Sequence, residues 1–257
     1  MQAPRAPNLC ILSIVRTVFI LVFLLSFLSL LGQKEGDLWV TGWIRPFPPT
    51  PHISFLDFSG EQLEITYFPN ATLQMESREA TTNVCDSEGN LLFFTNGEII
   101  YDRNMDVLSG WSPPNVYYFV SSDVGQGNLI LPINDSIYYA FVVIPDTSNY
   151  KLNSFYATIN RNLNQGLGEV TSLHNFVEDT LSEAMAAVRH ADGKSWWVLW
   201  HTEETNEFVK MLISPDESIQ LSYQSVGGTH QNVNGNPLAR ISFTQQGDRF
   251  AVMEGEG

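Results

Sequence analysis

Few residue types in this chain could carry chemistry. After Cys10, which sits beside the N-terminal hydrophobic run, the only cysteine is Cys85. A catalytic thiol needs a lowered pKa and a neighbouring base or cation. Cys85 instead ends the expected strand TTNVC, where a small buried thiol with no disulfide partner is expected. The five histidines are His52, His174, His190, His201 and His230. None has a metal-binding spacing such as H-E-x-x-H, although His190 and His201 flank one strand pair and could approach each other.

HADGKSW (190–196) superficially resembles the Asp box of sialidases, with the spacing off by one residue between Asp192 and Gly193. It reads as a turn built on Asp-Gly. The chain has no calcium-loop pattern, no G-x-S-x-G elbow and no phosphate loop. Gly125-Gln126-Gly127 and Gly166-Leu167-Gly168 are too short to mean more than turns. Trp196, Trp197 and Trp200 lie in one apolar run. In a strand, Trp196 and Trp200 share a face opposite Trp197. At least two of them belong to a core, and an exposed one would suit stacking on a sugar ring. A glycoside hydrolase would need two or three convergent carboxylates, and the runs expected to be innermost show no obvious set. The sequence therefore assigns no catalytic, cofactor-binding or metal-binding residue.

These residues sit on short β-rich runs bounded by Gly, Asn, Asp or Pro, with no long helical periodicity after the N-terminal segment. TTNVC, the turn DSEGN (86–90) and LLFFT form a hairpin. Asn96-Gly97 then offers the two residues of a type I′ turn before a third strand, EIIYD (98–102). Further hairpins follow at NLILPI–NDS–IYYAFVVI, MAAVRH–ADGK–SWWVLWHT and ARISFT–QQGD–RFAVM. With Gly89, Ser136, Gly193 and Gly247 in register, the repeats are spaced by 47, 57 and 54 residues. That is the size of one four-stranded propeller blade. Such a sheet has two apolar faces and hides both only by stacking on similar sheets. The expectation is an all-β fold, a β-propeller with about four blades over residues 53–257. It is read as incomplete at the C-terminus and as part of a larger ring.

Residues 1–33 contain Arg5 and Arg16, no acidic residue, and the apolar run VFILVFLLSFLSLL. That pattern is expected to be a hydrophobic signal helix, cleaved near Gly32 or Gln33, with an uncleaved anchor as the alternative. A helix of that run spans roughly 21 Å, short of the ~30 Å hydrocarbon core. Residues 34–52, with the Pro-rich RPFPPTP, read as an extended lead-in. Removing the signal leaves 11 Lys+Arg against 28 Asp+Glu, a net charge near −17. Such a surface repels phosphate backbones, so nucleic acid is excluded as a partner. Contact with a membrane would come only through an uncleaved N-terminal segment.

TTNVCDSEGNLLFFTNG, QGNLILPINDSIYYAF, SFYATINRNLNQGLGEV and AVRHADGKSWWVL resemble a family of exported Bacteroidota proteins. In that family a propeller-like region precedes a C-terminal sorting domain read by the type IX secretion system. The resemblance implies a propeller, a cell-surface or secreted location, and no enzymatic activity or catalytic residues. This chain shows no sorting domain. Asp135-Ser136-Ile137 and Asp179-Thr180-Leu181 resemble the short O-glycosylation motif of such proteins. The expected function is an exported noncatalytic module, binding an unknown protein or glycan or serving a structural role, without a cofactor. The alternative is a propeller-fold carbohydrate hydrolase.

Overall fold

A computed structural model describes residues 34–44, 51–69, 80–112, 124–146, 151–229, 239–244 and 246–254. The segment expected to be a signal helix, residues 1–33, lies outside them. The described chain is all-β: fifteen strands and short 3-10 turns. Among these residues no helix is long and apolar enough to cross a membrane.

The strands pair antiparallel in chain order. The first sheet comprises β1 (Leu38–Ile44), β2 (Pro51–Asp57) and β3 (Glu64–Pro69). The lead-in expected over 34–52 thus contributes β1 and the start of β2. The second sheet comprises β4 (Thr82–Cys85), β5 (Leu91–Thr95) and β6 (Ile100–Asp102). The third has seven strands: β7 (Asn128–Pro132), β8 (Ile137–Pro145), β9 (Leu152–Asn160), β10 (Glu169–Arg189), β11 (Trp196–Thr202), β12 (Glu207–Ile213) and β13 (Ile219–Ser225). β14 (Ala239–Phe243) and β15 (Phe250–Glu254) form the fourth.

The repeats do not appear as four separate four-stranded sheets, because β10 joins two of them. It runs 21 residues. Its first part, from Glu169 to Leu181, pairs with β9, and its last part, from Leu181 to Arg189, pairs with β11. Register shifts interrupt both pairings, and His174 and Thr180 take positive φ of 54° and 56°. Bulges of this kind bend a strand and increase its twist. β10 is thus the last strand of the group β7–β10 and the first strand of the group β10–β13.

The second sheet buries one face on the first sheet and the other on the third. Val40, Ile53 and Phe55 pack on Phe94 and Tyr101. On the opposite face of the second sheet, Phe93 packs among Ile130, Tyr138 and Ala140. β8 alternates accordingly: Tyr138 and Ala140 face the second sheet, while Tyr139, Phe141 and Val143 face Val198, Trp200 and Met211. Leu199, next to Trp200, points the other way, into a cluster with Phe208 and Ile241. This explains why IYYAFVVI carries no polar residue: both of its faces are covered.

Side-chain amides stitch the sheets together. Asn83 accepts from Val40 N at 2.9 Å and donates to Leu38 O at 2.8 Å. Gln126 does the same for Ile241, at 2.7 and 3.0 Å. Among the described residues the series of sheets does not close on itself into a ring.

One local expectation is corrected. Asn96-Gly97 is not a two-residue I′ turn. Thr95 pairs directly with Ile100, so the connection is 96–99 and the third strand starts two residues later than expected. Only Gly97 has positive φ, at 90°. The Asn96 Oδ1 accepts from Glu98 N and Ile99 N at 3.0 and 3.1 Å, which holds the longer turn without a left-handed asparagine.

Candidate functional site

Several hairpin turns converge at one end of the sheets around an open cleft of about 530 Å³. It lies between the β4–β5 turn, the β7–β8 turn, the β10–β11 turn and Pro215 of the β12–β13 turn. Each turn is held by an Asx side chain that accepts from the following backbone, as short polar side chains do at tight turns. Asp86 Oδ1 accepts from Glu88 N and Asn90 N, both at 2.9 Å. Asn134 Oδ1 accepts from Ser136 N at 3.0 Å and Ile137 N at 2.9 Å, while its Nδ2 donates to Pro215 O at 3.0 Å. Asp192 Oδ1 accepts from Lys194 N and Ser195 N, both at 2.8 Å, and Oδ2 accepts from the Ser195 hydroxyl at 2.6 Å. The Ser195 hydroxyl first, then those backbone N–H groups, hold the Asp192 carboxyl well below its ordinary range. Asp192 of HADGKSW is thus a turn residue.

Five charged side chains line the cleft: Asp86, Asp135, Arg161, Arg189 and Lys194. Arg161 leaves the end of β9 and donates to the Tyr138 hydroxyl at 3.3 Å. That bond outweighs partial burial and, with the nearby Asp86 and Asp135, raises its pKa further. Arg189 ends β10. Its Nη1 donates to Lys194 O at 2.6 Å, and its guanidinium lies 3.9 Å over the Trp196 ring. Trp196 is anchored in turn by its indole N–H, which donates to Pro132 O at 2.7 Å. A guanidinium held over an aromatic ring and bonded to a carbonyl is positioned before any ligand arrives.

Cys85 is 3% exposed and free of disulfide, and burial pushes its thiol up to about 11. At neutral pH it is a thiol, not a nucleophilic thiolate. His190 and His201 do not meet: His190 lies just past β10, opposite Ser195, while His201 is near the far end of β11, roughly 20 Å of strand away. His190 Nδ1 is 3.2 Å from Asp192 N, and His201 is buried with its ring 4.7 Å from that of Phe208. His174 Nε2 is 3.2 Å from Ser112 O. His230 and the His52 side chain lie outside the described residues. Among those described, no three His, Cys, Asp or Glu residues could hold a metal ion together.

Trp200 is fully buried against Phe141. The Trp196 face carries Arg189, and Trp197 is half-buried near the His190 ring. Ser136 Oγ accepts from Asn162 Nδ2 at 2.7 Å, and the Thr180 hydroxyl donates to Asp179 Oδ1 at 3.0 Å. Gly168 does more than turn the chain. Its φ is +90°, and a Cβ there would come 2.6 Å from the Phe93 ring. A side chain would push the β9–β10 turn off the second sheet.

Sequence reasoning missed Arg161, Arg189 and Lys194. Each stands at the junction of a strand and a turn, and that position was the one available signal. Comparison with protein-family models, with curated proteins and with solved structures finds no match for this chain.

Proposed function

We propose that this chain is an exported, noncatalytic binding module of β-propeller type that takes a small ligand in the cleft between its hairpin turns. Three features support the propeller reading. The first three sheets pack in series, with both faces of the second covered; β10 passes from the last strand of one four-stranded group to the first of the next; and hairpin turns recur at spacings of 47, 57 and 54 residues. Export rests on the basic flank and apolar run of residues 1–33.

The observation that carries the functional reading is the state of the cleft's reactive groups. The Cys85 thiol is protonated at neutral pH, and the Asp86 carboxylate is engaged by its own turn through Glu88, Asn90 and the Asn90 side chain. The lining contains no nucleophile–base pair and no pair of uncommitted carboxylates such as glycoside hydrolysis requires. What it does contain is oriented donors on rigid turns, which suits recognition without turnover.

The test is to incubate the purified protein with a panel of neutral and acidic oligosaccharides and follow both binding and reducing-end release. The proposal expects binding without release. Release that disappears in Asp135→Asn would instead establish the hydrolase. Mass spectrometry of the exported protein is expected to find a new N-terminus between Gly32 and Glu35, and intact Met1 in a membrane fraction would establish the anchor.

A further inference from the structure

The cleft's charge runs against that of the chain. The whole sequence has 13 Lys+Arg against 28 Asp+Glu. Three of those thirteen cations, Arg161, Arg189 and Lys194, nevertheless face one cleft with only two carboxylates, so its formal charge is +1 in a chain of −15. The three come from different places in the sequence: the end of β9, the end of β10 and the β10–β11 turn. Arg189 and Lys194 share the β10–β11 hairpin, and Arg161 joins them from the neighbouring β9 of the same sheet.

The two carboxylates play different parts. Asp86 is engaged by the 86–90 turn, where Oδ1 accepts two backbone N–H groups and both oxygens accept from Asn90 Nδ2, at 3.2 and 3.1 Å. Asp135 stands exposed at the tip of the β7–β8 turn, on the cleft wall. A guanidinium presents N–H donors in a fixed fork that fits a carboxylate, and that of Arg189 sits 3.9 Å over the Trp196 ring. A ligand that is only an anion would meet Asp135 as a repulsion. A ligand with one carboxylate and several hydroxyls satisfies both signs, because an aspartate accepts from hydroxyls. A polyanion would extend into the field of a strongly acidic chain. The volume, about 530 Å³, is in the range of small-molecule sites.

We infer that this cleft binds a small sugar acid, a pyranose bearing a single carboxylate. Its carboxylate is held by Arg161, Arg189 and Lys194, and its hydroxyls are turned toward Asp135. This rests on the cleft reading of the preceding subsection and names its ligand chemistry.

The experiment is calorimetric titration of the protein with D-glucuronate, D-glucose and acetate as separate probes, at about 50 mM and about 500 mM NaCl. The expected result is saturable binding of glucuronate that weakens at the higher salt, with glucose and acetate at least about tenfold weaker. Arg189→Gln and Lys194→Ala should each weaken glucuronate by about tenfold or more with an unchanged melting temperature for Lys194→Ala, whose side chain is exposed. Glucose binding as tightly as glucuronate, and weakened by Asp135→Ala, would overturn the acid inference while leaving the cleft as the binding site. Acetate as tight as glucuronate would overturn the sugar part. Glucuronate binding untouched by Arg189→Gln and Lys194→Ala would place the site elsewhere and overturn both readings. Failure of all three probes to bind would overturn the inference alone.

Discussion

Replacing Phe141 with alanine tests the packing on which the cleft depends. Phe141 lies on β8, 1% exposed, with its ring centroid 5.5 Å from that of Tyr156 and 5.7 Å from that of Trp200. It therefore joins the β7–β9 strands to the face of β11. A buried phenylalanine removes about 150–200 Å² from water, worth about 4–5 kcal/mol at about 25 cal/mol/Å². Alanine substitutions of such residues cost about 3–5 kcal/mol once partial relaxation of the cavity is included. At about 2–4 °C per kcal/mol for a chain of this size, Phe141→Ala should lower the melting temperature by about 6–20 °C. The assay is thermal unfolding followed by far-ultraviolet circular dichroism. Phe176→Ala is the control: Phe176 is 56% exposed, its ring edge-to-face with Phe155, and should shift the melt by no more than about 2 °C. Equal shifts for the two variants would refute the claim that β8 and β11 press their inner faces together.

Gly168→Ala should destabilise by more than about 1 kcal/mol in urea titration, because its φ of +90° is strained for alanine and its Cβ would strike the Phe93 ring. Cys85 should resist alkylation at neutral pH in the folded protein and react once urea unfolds it; rapid native labelling would contradict its burial. Its raised pKa, about 11 against an ordinary 9.0, means the folded state holds the proton more tightly. The Cys85 contribution to stability should therefore be fully present below about pH 9 and be lost as the pH rises toward 11, giving a shallower alkaline fall in Cys85→Ser. Asp192→Ala should speed amide exchange at Lys194 and Ser195, whose N–H groups its carboxylate accepts, and leave exchange in β11 unchanged.

How much of this could be read from the sequence differed by element. The β4–β6 meander and the β7–β8 hairpin were legible because their signals are local: Gly89 turns with φ of 88°, and IYYAFVVI admits only a strand covered on both faces. β10 was not, because its bulges break the period-two alternation and place Glu178, Asp179 and Thr180 within a continuous strand. Asn96-Gly97 carried the right residues for a two-residue turn, but the asparagine used its side chain rather than its backbone, a choice fixed by the Thr95–Ile100 register. His190 and His201 were close in sequence, yet one sits in the β10–β11 turn and the other near the far end of β11. Arg189 and Lys194 share one hairpin and could have been paired from the sequence, whereas Arg161 joins them only because β9 lies beside the bulged β10 in the same sheet.

The most direct test of the cleft as the binding site is amide chemical-shift mapping of the protein titrated with D-glucuronate. The account expects shifts confined to 86–90, 133–136, Arg161 and 189–195, with the far-end turn at 203–206 unmoved. Shifts centred on 203–206, with the cleft turns unmoved, would contradict it.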